Sequence, residues 1–111
     1  MTFQCTGTLT VAAIEIDLLY VPDCPNRDVA RGLLERALAW TGRPATIRER
    51  EVRSLEEGER LGMRGSPTIL IDGDDPFAGG AGAVGMACRL YQTDAGLRGV
   101  PTLPQLIEAL G

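Results

Sequence analysis

Three cysteines, Cys5, Cys24 and Cys88, are the residues of this chain best suited to chemistry. Cys24 lies in residues 23–27 (DCPNR), between an apolar segment that predicts a strand and an amphipathic segment that predicts a helix. Because Pro suits the first helical position, we place Cys24 at or beside the helix N-cap. Free N–H groups and the positive end of the helix dipole favour the thiolate there, and the thiolate is the nucleophile.

Composition narrows the chemistry available to this thiol. The 111 residues include no His and no Lys, so all 11 basic residues are Arg. Cys–His dyads, Ser–His–Asp triads, His-ligated zinc and Schiff-base chemistry are therefore excluded. We expect neither a cofactor nor a metal. The net charge of −4 argues against a nucleic-acid partner or an anionic membrane partner.

The spacing of the cysteines and the character of the N-terminal residues suggest a cellular location. An odd number of widely separated cysteines is not the disulfide framework of a small secreted domain. No basic residue precedes Arg27 and no long apolar run is present, which indicates neither a signal peptide nor a membrane span. We therefore predict a reduced, cytoplasmic protein.

Hydrophobic patterning predicts one domain over residues 13–111, preceded by a tail or strand extension at residues 1–12. The strands at 14–20 and 68–72 are apolar enough on both faces to be central, whereas the charged strand at 45–52 suits an edge. The other predicted elements are a helix at 25–40, a short helix opened by the capping pattern of Ser54 and Glu57, a long loop at 73–87, a strand at 88–92 and a final helix from Thr102.

Residues 62–68 (GMRGSPT) resemble the cis-proline segment of thioredoxins. Together with the element order, this segment makes the chain resemble the thioredoxin-like superfamily. The resemblance implies an α/β thioredoxin-like fold, with a four-stranded mixed sheet ordered 45–52, 14–20, 68–72 and 88–92 and helices on both faces. It also implies that the Ser66–Pro67 bond is cis and close to Cys24, and that Arg64, Ser66 and Pro67 bind substrate. The alternative is that Pro67 only begins a strand.

The chain departs from thioredoxins at Arg27, which stands where their motif has a second cysteine. No disulfide can close within residues 24–27, so the resemblance implies one reactive thiol, Cys24, with Arg27 supporting its anion. Such a thiol exchanges with a thiol or disulfide, either glutathione or a protein, and reduces ordinary protein disulfides poorly. Cys88 is a possible second thiol, although an inert core thiol is the favoured interpretation. Cys5 can reach Cys24 only if the first residues fold back.

Two alternatives to thiol exchange remain open. The first is a binding module that has lost redox catalysis and uses the groove beside Pro67 for a peptide or another partner. The second is handling of heavy metals or oxyanions by thiolates. A Cys followed three residues later by Arg resembles the arsenate-reductase and Spx branch of the fold. Residues 88–111 resemble small bacterial thioredoxin-like proteins related to organomercurial lyases.

Overall fold

The structure is a computed structural model that describes residues 13–77 and 85–111, with the backbone alone for residues 85–88. The predicted tail at residues 1–12, which includes Cys5, lies outside the described residues, as does the middle of the predicted loop at 73–87. The described elements are β1 (Ile14–Tyr20), α1 (Arg27–Thr41), β2 (Ala45–Glu51), α2 (Leu55–Leu61), β3 (Arg64–Ser66), β4 (Thr68–Ile71), β5 (Gly85–Cys88), β6 (Tyr91–Thr93), β7 (Gly96–Arg98) and α3 (Leu103–Leu110).

A mixed sheet with the order β2-β1-β4 forms the centre of the molecule. β1 runs parallel to β2, with Ile14 opposite Ala45, and antiparallel to β4, with Leu18 opposite Ile69. The α/β class, the bounds of β1 and its central place in the sheet are therefore confirmed. The charged strand β2 lies at an edge of this sheet, as predicted.

Alternating side chains of β1 face two separate cores. Leu18 belongs to a buried cluster with residues of α1, β4 and α3, such as Leu34 and Leu106. Leu19 points the other way and packs with Val52 and Met63, beside the end of α2. The helices consequently cover both faces of the sheet. Among the described helices, none combines the length and the apolar character that a membrane span requires.

The predicted fourth strand of the main sheet is corrected by the structure. Within the described residues the main sheet has three strands, and the predicted strand at 88–92 is divided between two small sheets. β5 pairs in parallel with β3, whereas β6 forms an antiparallel hairpin with β7. The interruption falls at Arg89, whose side chain is buried and turns toward Asp75. Arg89 and Leu90 consequently belong to neither of the two small sheets.

Two side chains of α1 are more exposed than the sequence pattern predicts. The spacing of apolar residues in the helix predicts Val29 on its buried stripe, but Val29 is 49% exposed and Ala30 occupies the buried position beside it. As a large aromatic residue, Trp40 is predicted to anchor the core or a loop, but it is 76% exposed. The buried face of α1 consists of Ala30, Leu34 and Ala37.

Side-chain caps define where α2 and α3 begin. The Ser54 hydroxyl accepts the Glu57 N–H at 3.1 Å, whereas the Glu57 carboxylate accepts the N–H of Arg53 rather than that of Ser54. The capping box predicted for α2 is thus half formed. At α3, Thr102 and Gln105 form a complete, reciprocal capping box.

Replacing Ser54 with Ala should lower the free energy of unfolding by about 1 kcal/mol, because the Glu57 N–H loses its acceptor. Ser54→Asp keeps an acceptor at the N-cap and should restore most of this loss. Urea unfolding followed by circular dichroism measures both variants. Equal losses in the two variants would contradict a capping role for the hydroxyl.

Candidate functional site

Cys24 ends a tight turn that follows the central strand. Its N–H donates to the Val21 carbonyl at 3.2 Å, and its own carbonyl accepts the Arg27 N–H at 3.4 Å. The N-cap of α1 is Asn26, so the helix begins two residues later than the sequence predicts. Cys24 lies two residues before this cap and is half-buried. The chain is therefore an α/β protein with a partly accessible thiol where its central strand leads into a helix.

Ser66 connects this turn to the segment that contains Pro67. Ser66 is 2% exposed, and its hydroxyl accepts the N–H of Val21 at 3.1 Å. The Ser66–Pro67 peptide bond is cis. Since Val21 is the first residue of the turn that ends at Cys24, one hydrogen bond ties the two predicted site segments together.

The backbone around Ser66 already has partners within the chain. The Ser66 carbonyl accepts the Arg89 N–H at 3.1 Å, and Ser66 lies opposite Cys88 in the pairing of β3 with β5. Arg64, also on β3, donates its N–H to the Thr68 hydroxyl at 3.0 Å. Part of the backbone that the resemblance assigns to substrate is thus bonded to the chain itself.

A buried ion pair, which the sequence patterns did not reveal, lies next to this segment. The Arg89 guanidinium contacts the Asp75 carboxylate at 2.6 Å, and both side chains are almost fully buried. Arg89 also donates to the Phe77 carbonyl at 2.9 Å. The available signal was a lone charged residue inside an otherwise apolar strand, since a buried charge requires a partner.

Tyr91 joins the ion pair to Pro67. Its hydroxyl donates to the Pro67 carbonyl at 2.6 Å, and its ring lies 4.4 Å from the Arg89 guanidinium. Burial raises the pKa of Tyr91; the positive charge of Arg89 opposes this rise, and the negative charges of Asp75 and Cys24 add to it. Tyr91 thus links the buried ion pair to the segment of Pro67.

Arg27, the predicted helper of Cys24, is engaged by other groups. Its guanidinium contacts Asp28 at 3.2 Å and Glu49 at 3.3 Å, and it lies 5.0 Å from the ring of Tyr20. The Asp28 carboxylate, followed by the hydrogen bond with Tyr20, raises the pKa of Arg27. The side chain is therefore a fixed cation beside the turn, shared among several partners.

A small polar cavity of about 190 Å³ opens beside the thiol. Its lining residues are Tyr20, Asp23, Cys24, Arg27 and Glu51. Pockets that enclose drug-sized ligands or cofactors usually measure about 300–1,000 Å³, so this cavity suits a small group presented to the thiol. The loop after β7 lies against the N-cap of α1. A Cβ atom on Gly99 would lie only 2.4 Å from the Asn26 amide nitrogen.

Within residues 13–77 and 85–111, His, Cys, Asp and Glu side chains do not gather in groups of three or more that could hold a metal ion. The sequence has no significant match among protein-family models or among curated proteins. The contacts of Cys24, Ser66 and Pro67 therefore carry the functional argument.

Breaking the buried ion pair should be costly. Asp75→Ala leaves the Arg89 guanidinium buried without a counter-charge and should lower the free energy of unfolding by about 3–5 kcal/mol. The double variant Asp75→Leu, Arg89→Met removes both charges and should cost less than Asp75→Ala. Glu35→Ala, which breaks an exposed ion pair with Arg31, is the matched control and should cost less than about 1 kcal/mol. Urea unfolding measures all three, and similar costs for Asp75→Ala and Glu35→Ala would contradict this account.

Alkaline pH should destabilise the fold through Tyr91. Because the folded-state pKa of Tyr91 is raised above the ordinary value of about 10, the unfolded chain loses this proton first as pH rises. The contribution is complete below pH 10 and falls by about 1.4 kcal/mol per pH unit above it.

Urea unfolding between pH 8 and pH 12 tests this dependence. Tyr91→Phe should lower stability at neutral pH by about 1 kcal/mol, because the Pro67 carbonyl loses its donor, and should flatten the alkaline slope. The matched Tyr20→Phe variant retains Tyr91 and should retain the steep slope. The absence of Lys keeps the background titration in this range small. An unchanged slope in Tyr91→Phe would contradict the assignment.

Proposed function

We propose that this chain is a thioredoxin-like protein that uses Cys24 as a reactive thiol in exchange with a small or protein disulfide. The observation that carries the proposal is the hydrogen bond from Val21 to the Ser66 hydroxyl, which ties the turn ending at Cys24 to the segment of Pro67. The order β2-β1-β4, with one parallel and one antiparallel pair, supports the same assignment.

The reaction begins with the Cys24 thiolate. It attacks one sulfur of a disulfide, forms a new S–S bond and releases the other sulfur as a thiolate, which takes a proton from water. The chain has no imidazole, so solvent accepts the proton that Cys24 loses. Arg27, at the edge of the small cavity, supplies positive charge near the attacking sulfur. This chemistry suits the reduced cytoplasm, where glutathione is an abundant partner.

Cys24 can be tested alone in the variant Cys5→Ser, Cys88→Ser. Excess oxidised glutathione should add one glutathionyl group, because a single thiolate yields a mixed disulfide and the variant has no second protein thiol to displace it. Adding Cys24→Ser should abolish the adduct. Intact-protein mass spectrometry measures both results.

Alkylation after unfolding is the control that shows the Cys24 thiol to be chemically intact. If the folded variant takes up no glutathione while the unfolded variant alkylates normally, the reactive-thiol function fails. A binding module that uses the groove beside Pro67 would then be favoured.

A further inference from the structure

Cys88 lies directly across from the residue that precedes Pro67. In the parallel pairing of β3 with β5, Cys88 is the partner of Ser66. The next residue, Arg89, donates its N–H to the Ser66 carbonyl at 3.1 Å. Neighbouring strands lie about 4.8 Å apart, so the backbone of Cys88 is beside the backbone of Ser66.

Ser66 is also bonded to the turn that carries Cys24. Its hydroxyl accepts the N–H of Val21, and the Cys24 N–H donates to the Val21 carbonyl at 3.2 Å. The ends of such a four-residue turn are less than about 7 Å apart. Three connections, namely the strand pairing, the Ser66–Val21 hydrogen bond and the turn, therefore link the backbone of Cys88 to that of Cys24.

The segment after Cys88 is firmly anchored on the side of Pro67. Arg89 is held by its ion pair with Asp75, and the Tyr91 hydroxyl donates to the Pro67 carbonyl. Residues one and three positions beyond Cys88 thus hold the segment that the Ser66 hydroxyl ties to the turn of Cys24.

We propose that Cys88 is the resolving thiol of Cys24 and replaces the motif cysteine that is absent at Arg27. This inference rests on the proposed function, because it requires a mixed disulfide at Cys24. It revises the sequence-based preference for an inert Cys88. The register of β5 is the reason, since it places Cys88 opposite Ser66 rather than on an outer strand of the main sheet.

The two steps balance for a low-molecular-weight disulfide as oxidant. The Cys24 thiolate first displaces one thiolate of the oxidant and forms a mixed disulfide. The Cys88 thiolate then attacks the Cys24 sulfur, releases the second thiolate and closes a Cys24–Cys88 disulfide. In total, one disulfide is reduced to two thiols while two protein thiols are oxidised to one disulfide. A reducing thiol reverses both steps.

The experiment uses the full chain with Cys5→Ser, because residues 1–27 form one tryptic peptide that holds both Cys5 and Cys24. This protein is treated with oxidised glutathione, the remaining thiols are alkylated, and the product is analysed by mass spectrometry before and after trypsin digestion. We expect the intact mass to fall by two hydrogen atoms. We also expect a disulfide-linked pair of peptides, residues 1–27 with residues 65–89.

Two double variants lack Cys88: in one, Cys5→Ser is combined with Cys88→Ser, and in the other with Cys88→Ala. Both should instead retain one glutathionyl group on Cys24 throughout the incubation. Circular dichroism checks that each variant is folded. A persistent glutathionyl group on Cys24 in the Cys5→Ser protein, as in the two variants, would overturn the role of Cys88 and leave the proposed function standing. The absence of any adduct or disulfide at Cys24 in all of these proteins would overturn the proposed function, and the role of Cys88 with it.

Discussion

The buried ion pair of Arg89 and Asp75 is the interaction on which the surroundings of Cys24 depend. Removing two charges from water costs several kcal/mol per ion, so such a pair is tolerated only when its remaining hydrogen-bonding groups are satisfied. Here the guanidinium also reaches the Phe77 carbonyl and lies over the ring of Tyr91. The backbone of Arg89 and the hydroxyl of Tyr91 then hold Ser66 and Pro67. One electrostatic contact thus supports the segment whose Ser66 is hydrogen-bonded to the turn that ends at Cys24.

The arginine side chains near Cys24 already form ion pairs with carboxylates. Glu49, on the edge strand β2, contacts Arg27 at 3.3 Å and Arg31 at 2.8 Å. An anion at Cys24 therefore competes with Glu49 for the guanidinium of Arg27. The charged residues of β2, which predict an exposed edge strand, thus also include a partner of Arg27.

Much of the main sheet and its helices follows from local patterns in the sequence. Apolar residues on both faces of β1 predict a central strand, and the capping residue Thr102 marks the start of α3. The patterns fail where a residue depends on a partner far along the chain. Arg89 is buried only because Asp75 lies fourteen residues before it, and no periodicity reveals that distance. The position of Cys88 opposite Ser66 cannot be predicted from local patterns either, because strand register depends on two segments together.

The pairing of β5 with β3 has a thermodynamic consequence for any extended ligand. A peptide strand that adds to this edge of β3 must first displace residues Gly85–Cys88, so the chain acts as a tethered competitor for its own binding edge. The apparent affinity for a peptide falls in proportion to the fraction of molecules with an open edge. An edge open in about one molecule in a hundred weakens the dissociation constant about a hundred-fold. For the proposed exchange at Cys24, small disulfides need no strand pairing and are therefore not subject to this competition.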